Sequence, residues 1–218
     1  MLNIALDGPS GSGKSTIAKA LSKKLNILYL DTGAMYRACA LKAHYLGIGC
    51  KNKEAVDGFI DGVNVEVKYV DGAQRTYLDG VDVSTEIRQN EISLKASAIS
   101  AHMSCRTKLV SLQREIASKT DCVLDGRDIG TNVLPNAKYK FYVTASLDVR
   151  TERRFLELIA KGQNVDKDSL KKEIAERDYN DSHREFAPLR QAEDAIFIDT
   201  SLLTIEEVID KILSYLEI

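Results

Sequence analysis

The sequence of 218 residues has no tryptophan, only 3 prolines and 4 cysteines, and no excess of charge of either sign. Its 30 basic and 32 acidic residues give a net charge of -2, which argues against a dedicated binder of nucleic acid or of membrane surfaces. The composition, 44% hydrophobic and 28% charged, is typical of a globular protein and excludes disordered, collagen-like and disulfide-scaffold classes. Any anionic ligand must therefore meet a local cluster of basic side chains.

The cysteines are widely spaced and predict neither a disulfide framework nor a metal site. We expect them to be reduced and buried in a cytoplasmic protein. The first residues lack the basic region and the long apolar run of a signal peptide, and no stretch approaches the roughly 18 apolar residues of a membrane span. The cysteines in question are Cys39, Cys50, Cys105 and Cys122.

Short apolar runs alternate with longer segments of helical periodicity, which predicts a parallel sheet covered by helices. Residues 63–83 break this alternation, because two Asp-Gly turns join period-2 runs there and predict a small antiparallel insert. The predicted strands are 2–6, 27–30, 122–124, 139–143 and 196–198. The predicted helices are 14–25, 34–45, 92–118, 147–160, 169–181 and 204–216.

A phosphate-binding loop motif lies between the first predicted strand and the first predicted helix. Its glycines would let backbone N–H groups turn inward around phosphate oxygens. Lys14 would place a charge on the β- and γ-phosphates, and Ser15 would offer its hydroxyl to Mg²⁺. This context favours a nucleoside triphosphate site over a turn that binds nothing. The candidate residues are Gly8, Pro9, Ser10, Gly11, Ser12, Gly13, Lys14, Ser15 and Thr16.

A second polar motif, Asp-Thr-Gly-Ala-Met-Tyr-Arg, follows the second predicted strand at residues 31–37. A helix that begins near Gly33 would place Thr32 at its cap position, with Tyr36 and Arg37 on the first turn, where an anion could bind. Taken alone, this motif favours the simpler interpretation of a capped helix with a solvated arginine.

The third predicted strand ends in Asp-Gly-Arg-Asp at residues 125–128. A carboxylate at the end of an apolar strand is expected on the metal side of a P-loop site, so Asp125 is a candidate Mg²⁺ residue, directly or through water. Arg127 and Asp128 leave the sheet at the same edge. This position favours a ligand role over a surface ion pair.

Further arginines flank a polar loop downstream. Arg153 and Arg154 precede the loop, whereas Arg177 and Arg184 follow it. The last two stand seven apart within 169–184, which would place them on one face of a helix that continues to Arg184. This arrangement predicts a lid that closes over the transferring phosphate and excludes water. For Arg150 we favour a solvated helix face instead.

In this order, and with this insert, the motifs resemble those of bacterial-type cytidylate kinases, a family of P-loop nucleoside monophosphate kinases. The resemblance covers essentially the whole chain. It implies an α/β fold with a five-stranded parallel sheet flanked by helices, an antiparallel β insert and a short helical lid. It also implies one domain, whose core comprises 1–31, 107–148 and 186–218, with an NMP-binding region at 32–106 and a lid region at 149–185.

The resemblance also implies roles for single residues. Thr32, Arg37 and Arg127 match residues that hold the acceptor phosphate, and Asp128 matches the residue that reads the base. Arg106 opens the motif Arg-x-x-Leu-x-x-x-Gln-Arg, and the family uses it with a serine nine residues earlier. The implied catalytic residues are Lys14, Arg153 or Arg154, and Arg184. The implied substrate-binding residues are Thr32, Tyr36, Arg37, Ser97 (with Ser93, Ser100 and Ser104 nearby), Arg106, Arg127, Asp128, Arg177 and Arg184.

The chemistry of the bases agrees with this assignment. A carboxylate such as Asp128 accepts a hydrogen bond from the exocyclic amine of cytosine but faces a carbonyl oxygen in uracil. An unpaired buried polar group costs roughly 1–3 kcal/mol, or about one to two decades in selectivity. We therefore expect transfer of the γ-phosphate of ATP, with Mg²⁺, to CMP or dCMP in pyrimidine nucleotide metabolism. We further expect a monomer without nucleic-acid or membrane partners.

Three alternatives explain the sequence less well. Another small P-loop kinase, acting on UMP, shikimate or dephospho-coenzyme A, would leave the insert and the Asp-Gly-Arg-Asp motif unexplained. A regulatory GTPase would need an Asn-Lys-x-Asp motif, which the sequence lacks. A structural protein with a vestigial nucleotide site conflicts with the presence of Lys14, Ser15 and the arginines.

Overall fold

The computed structural model describes residues 1–217 of the chain. The strands are β1 (Asn3–Asp7), β2 (Leu28–Asp31), β3 (Val65–Val70), β4 (Ala73–Leu78), β5 (Val81–Asp82), β6 (Cys122–Gly126), β7 (Tyr139–Thr144) and β8 (Ile196–Asp199). The α-helices are α1 (Lys14–Leu25), α2 (Thr32–Tyr45), α3 (Lys53–Ile60), α4 (Asn90–Ile99), α5 (Met103–Ala117), α6 (Leu147–Ala160), α7 (Lys167–His183) and α8 (Ile205–Leu213). A 3₁₀ turn and a π turn occupy Glu86–Arg88 and Ile129–Val133.

The five strands predicted from short apolar runs form one sheet, in the order β2-β6-β1-β7-β8. In its parallel register Leu6 of β1 pairs with Phe141 of β7, which pairs in turn with Ile196 of β8. Strands of such a sheet are covered on both faces, which is why their sequences are apolar runs without alternation. The predicted α/β fold with a parallel sheet is confirmed.

The antiparallel insert is also confirmed. Strands β3, β4 and β5 form a separate sheet joined by the two Asp-Gly turns. Both residues of each turn have positive φ, with Asp71 at 52° and Gly72 at 74°, and Asp79 at 49° and Gly80 at 85°. Two positive φ values in succession match the tight hairpin turn for which Asp-Gly is favoured.

One helix prediction was wrong, and one helix was not predicted. The segment 92–118, predicted as one helix, is divided into α4 and α5 by an extended residue, His102 (φ -80°, ψ 128°). The Ser100 carbonyl at the end of α4 accepts a hydrogen bond from Arg106 Nη1 at 3.1 Å, a contact that helical periodicity does not reveal. Helix α3 was not predicted, although Asn52 caps it by accepting from the Ala55 N–H at 3.1 Å.

The chain divides into two compact units. The first unit comprises residues 1–2 and 28–122, and the second comprises 3–27 together with residues from 123 onward. The prediction of one domain with an NMP-binding region and a lid region stays a prediction. Within the described residues, no helix combines the length and apolarity needed to cross a membrane. The predicted burial of the reduced cysteines is confirmed for Cys39, Cys50, Cys105 and Cys122.

Candidate functional site

The backbone of the β1–α1 loop explains its glycines. Gly8 has φ 145°, and a Cβ atom there would lie 2.0 Å from the Val143 carbonyl oxygen, so only glycine fits. Gly13, directly before α1, has φ 92°, in the left-handed region that favours glycine. The loop motif and the conformation of its backbone therefore agree.

Lys14 lies buried at the start of α1. Its ammonium donates hydrogen bonds to the Pro9 carbonyl at 2.6 Å and to Ser12 Oγ at 3.2 Å, so it folds back over its own loop. Burial lowers the pKa of Lys14, and Arg127 lowers it further, whereas the Asp125 carboxylate acts in the opposite direction. A buried cation held by loop oxygens can exchange them for phosphate oxygens.

Ser15 and Asp125, predicted from separate motifs, are in contact. Ser15 Oγ donates to Asp125 Oδ2 at 2.5 Å, and Asp125 is buried near the end of β6. A hydroxyl oxygen and a carboxylate oxygen are hard ligands of the type that Mg²⁺ prefers. The chemistry of this pair fits the predicted metal.

Three of the predicted arginines surround Asp181, a residue that the sequence reasoning missed. Arg127 Nε donates to Asp181 Oδ2 at 2.8 Å, and the carboxylate is only 5% exposed. Burial raises the pKa of Asp181, but Arg127, Arg177 and Arg184 outweigh it and hold the pKa below its usual range. Asp181 follows Arg177 by four positions on α7, so helical spacing was the available signal.

Asp128 is fixed through both of its carboxylate oxygens. Arg184 Nη2 donates to Oδ1 at 3.2 Å, and Asn132 Nδ2 donates to Oδ2 at 2.9 Å. The Asp128 and Arg184 side chains are each 6% exposed. Arg184 lies one residue beyond the end of α7, at its C-cap, and not within the helix as predicted, and its Nε donates to the Ala187 carbonyl at 2.7 Å.

The prediction that Arg150 lies on a solvated helix face was wrong. Arg150 is 6% exposed, and its Nε donates to the Ala145 carbonyl at 2.9 Å. Its Nη1 donates to the Ser10 carbonyl in the loop at 3.1 Å and to Asp178 Oδ2 at 2.5 Å. Periodicity places Arg150 on a face of α6 but does not reveal that the β1–α1 loop covers that face.

The two candidate lid arginines differ in their surroundings. Arg153 donates to the Thr200 hydroxyl at 3.0 Å and to the Thr200 carbonyl at 2.7 Å, and that hydroxyl donates to the Ser12 carbonyl in the loop at 3.2 Å. Arg154 instead pairs with Glu157, on its own helix, at 2.9 Å. Of the two, Arg153 is the one linked to the loop through a shared partner.

In the first unit, Asp31 and not Thr32 caps helix α2. Asp31 Oδ1 accepts from the Ala34 N–H at 2.9 Å, and Thr32 is the first residue of the helix, where it is buried. The expectation of Thr32 at the cap position was therefore wrong by one residue. A carboxylate is a strong N-cap because it accepts from free N–H groups and carries negative charge at the helix N-terminus.

Arg37 is held at this cap and is not solvated, as the simpler interpretation assumed. Its Nη2 donates to Asp31 Oδ2 at 2.9 Å, and Arg88 Nη1 lies 3.0 Å from the same oxygen. Burial raises the pKa of Asp31, but Arg37 and Arg88 lower it more strongly, so that it lies below the usual value of 3.8. Arg88, which the sequence reasoning left without a role, thus gives the start of α2 a second cation.

Two of the residues assigned to the nucleotide base, Arg106 and Tyr36, lie close together within the first unit, whereas Asp128 belongs to the second unit. Arg106 is 1% exposed, and its guanidinium carbon lies 5.4 Å from the centre of the Tyr36 ring. It donates to the Ser100 carbonyl, and Ser100 Oγ donates to the Ser97 carbonyl at 2.8 Å. Ser100, one of the neighbouring serines, thus contacts Arg106 through its backbone carbonyl.

The insert contacts the same motif. Gln74 of β4 accepts from the Asp31 N–H at 2.7 Å through Oε1 and donates to the Asp31 carbonyl at 3.3 Å through Nε2. One side chain thereby satisfies both backbone groups of the residue that caps α2. Nothing in the alternating pattern of β4 singles out this glutamine.

Comparison with known proteins agrees with the geometry of both units. A family model described as "Cytidylate kinase" matches residues 4–218. The chain is 49% identical over 212 residues to the cytidylate kinase of Caldicellulosiruptor bescii, covering 97% of this chain and 94% of that protein. It is 50% identical over 212 residues to the cytidylate kinase of Streptococcus pneumoniae, covering 97% and 95%.

The fold also resembles that of a solved kinase structure. Shikimate kinase from Bacteroides thetaiotaomicron superimposes with a TM-score of 0.51 at 15% identity, covering 100% of this chain and 99% of that one. At this identity the likeness concerns the fold alone.

Proposed function

Because the chain belongs to the cytidylate kinase family, we propose that it transfers the γ-phosphate of ATP to CMP or dCMP, forming CDP or dCDP and ADP. The observation that carries this proposal is the arginine cluster around Asp181, within electrostatic range of the Lys14 ammonium. Such a cluster suits a reaction that brings two phosphate groups together. Pyrimidine nucleotide metabolism is the setting that this substrate implies.

On the donor side, the residues from Gly8 to Thr16 would bind ATP. The backbone N–H groups of the loop and the N-terminus of α1 would contact the phosphates, and Lys14 would leave the Pro9 carbonyl to neutralise the β- and γ-phosphates. Ser15 and Asp125 would hold Mg²⁺, directly or through water. When bound, Mg²⁺ supplies further neutralisation of phosphate charge.

On the acceptor side, the phosphate of CMP is already an anion near neutral pH, so the reaction needs no strong general base. The protein contributes positioning and charge neutralisation. In the second unit the proposed phosphate ligands are Arg127, Arg177 and Arg184, and in the first unit they are Thr32 and Arg37. Arg184 would also stabilise the transition state, because its guanidinium can neutralise charge on the transferring phosphate. Its contact with Asp128 would hold it in place.

For the base, Asp128 would accept from the exocyclic amine of cytosine. Arg106 would donate to the cytosine acceptors, with Tyr36 beside the nucleotide and Ser97 nearby. The direct contact between Arg106 and Ser100 supports a shared role for these two residues. A uracil base would leave the carboxylate without a donor, so CMP should be favoured over UMP.

Charge on the transferring group would be stabilised by Arg153 or Arg154 from the lid. The link from Arg153 through Thr200 to the loop favours Arg153 for the donor side. We also propose a cytoplasmic monomer. The free thiols support the reducing compartment, and sedimentation at micromolar concentration tests the oligomeric state.

A coupled assay of ADP release against a panel of nucleoside monophosphates tests the proposal. CMP and dCMP should stimulate release, and UMP should be about one to two decades weaker in kcat/KM. A Lys14→Met variant serves as the control for contaminating kinases and should lose the CMP-dependent signal. An absence of stimulation by CMP would refute the proposed function, and stimulation by shikimate or dephospho-coenzyme A alone would favour an alternative kinase.

A further inference from the structure

Asp7 is a buried carboxylate with no role in the proposed chemistry. It ends β1, directly before Gly8, and is 4% exposed. Its two oxygens each accept one backbone hydrogen bond, Oδ1 from the Ile129 N–H and Oδ2 from the Gly130 N–H, both at 2.7 Å. These two donors directly follow Asp128, the proposed base reader.

The two N–H groups belong to the first residues of the π turn Ile129–Val133. The first N–H groups of a helical turn have no partner within the turn and need an acceptor from elsewhere. The later part of the turn is closed by its own backbone, with the Asn132 N–H donating to the Asp128 carbonyl at 2.9 Å. Asp7 therefore supplies the acceptors for the Ile129 and Gly130 N–H groups at the start of the turn.

The space around Gly130 shows that the backbone of the turn lies close to the Asp7 carboxylate. A Cβ atom built at Gly130 would lie 3.3 Å from Asp7 Oδ2 and 3.1 Å from Lys140 Cδ. Such contacts are closer than side chains normally tolerate, so glycine permits the approach of the backbone to the carboxylate. The Asp128 side chain is then oriented by Arg184 and by Asn132.

We propose that Asp7 is a positioning residue for base selection. The Asp7 carboxylate fixes the backbone that follows Asp128 and so determines the position of the Asp128 carboxylate, which reads the base. The inference rests on the proposed function, since it takes cytosine as the base that Asp128 reads. Two converging donors need two acceptors, which a carboxylate has and an amide lacks. Burial raises the pKa of Asp7 to about 6, so the chain retains a charge here that is costly to bury.

The test is Asp7→Asn, which keeps the size of the side chain but replaces one acceptor with a donor. A buried N–H group would lose its partner, and the segment after Asp128 should shift. We expect kcat/KM for CMP to fall about tenfold or more and the CMP/UMP ratio to narrow by a similar factor. The Kd for ATP, measured by calorimetry without CMP, should change by a smaller factor than the CMP/UMP ratio, because the loop binds phosphate mainly through its own backbone and Asp7 acts there only through its charge on Lys14.

A second variant reaches the same segment with Asp7 intact. Gly130→Ala places a methyl group against Asp7 Oδ2 and Lys140, so it should also narrow the CMP/UMP ratio. The matched control is Glu207→Gln at the start of α8, where Glu207 Oε2 accepts from the Thr204 N–H at 2.8 Å. This control makes the same carboxylate-to-amide change at an exposed position, where the glutamine oxygen can still accept the bond, and it should leave the CMP/UMP ratio unchanged.

Circular dichroism and the melting temperature separate misfolding from mispositioning. The inference would be overturned if Asp7→Asn and Gly130→Ala fold and keep the CMP/UMP ratio of the unaltered enzyme. It would also be overturned if the control Glu207→Gln narrows this ratio by the same factor. If Asp7→Asn does not fold, Gly130→Ala alone decides. A failure of the proposed function is distinct, because the unaltered enzyme would then not phosphorylate CMP at all.

Discussion

At the scale of single residues, base selection should depend on one carboxylate. We expect Asp128→Ala to lower the CMP/UMP ratio in kcat/KM by about one to two decades, because the exocyclic amine of cytosine loses its acceptor. Asp128→Asn should lower the ratio at least as far, since an amide can donate to the carbonyl of uracil. Steady-state kinetics with both nucleotides at saturating ATP measures the ratio.

The control for this prediction must account for the ion pair between Asp128 and Arg184. Arg184→Ala removes the partner and keeps the carboxylate. It should lower kcat for both CMP and UMP, because the proposed role of Arg184 is neutralisation of phosphate charge. It should narrow the CMP/UMP ratio less than Asp128→Ala does, because the carboxylate remains and Asn132 still holds it. A CMP/UMP ratio that survives in Asp128→Ala would exclude Asp128 as the base reader.

The partners of a residue could be predicted where sequence motifs place it at a known edge of the sheet. They could not be predicted where the partners come from a segment that no motif identifies. The ends of two predicted strands were enough to group Ser15 with Asp125, because the loop after β1 and the end of β6 lie at one edge of a parallel sheet. They were not enough for Arg150 or Asp7, whose partners come from distant segments. The sequence shows that such residues are charged, but not what neutralises them.

At the scale of secondary structure elements, the insert should support the acceptor site through one side chain. Gln74 binds both backbone groups of Asp31, and Asp31 in turn holds Arg37. Gln74→Ala should therefore raise the KM for CMP about fivefold, in line with roughly 1 kcal/mol for a lost hydrogen bond. The KM for ATP should not change, and both constants follow from one coupled assay.

A neighbouring residue of β4 offers the control. Arg75 is half-exposed, and its nearest acid, Asp82, lies 4.0 Å away. Surface pairs of this kind contribute little, so Arg75→Ala should leave the KM for CMP unchanged. A similar rise in both variants would mean that the insert acts through its general stability and not through Gln74.

Element boundaries were predictable where local sequence fixes them. Asp-Gly at both turns of the insert fixed the hairpins, because these residues adopt positive φ readily. The break between α4 and α5 has no glycine or proline, and it coincides with the contact from Arg106 to the Ser100 carbonyl. Periodicity continues across such a break, so the single-helix prediction failed there.

At the scale of the whole molecule, the near-zero net charge conceals a set of buried charges. The total of -2 argues against a polyanion-binding surface, but it does not reveal how many charged side chains the fold removes from water. Each one costs solvation free energy that only partners can offset. The buried charged residues include Asp7, Lys14, Asp31, Arg106, Asp125, Asp128, Arg150 and Asp181.

Asp7 should make this cost measurable as a dependence of stability on pH. The pKa of Asp7 is raised from 3.8 to about 6, because burial and, less strongly, the Asp128 carboxylate outweigh the opposing effect of two backbone N–H groups and Lys14. Because the folded state binds the proton more tightly than the unfolded state, this contribution to stability is complete below about pH 3.8 and is lost as the pH rises through about 6. The full shift corresponds to about 3 kcal/mol.

The measurement compares the unaltered protein with Asp7→Asn, so that the other titrating groups largely cancel. Urea titrations give the free energy of unfolding of both proteins. Between about pH 5 and about pH 7, that of the unaltered protein should fall by about 1 kcal/mol relative to that of Asp7→Asn. The prediction is contradicted if the difference between the two free energies of unfolding stays constant, or if the unaltered protein gains stability relative to Asp7→Asn as the pH rises. The ionised Asp7 would then not destabilise the folded state.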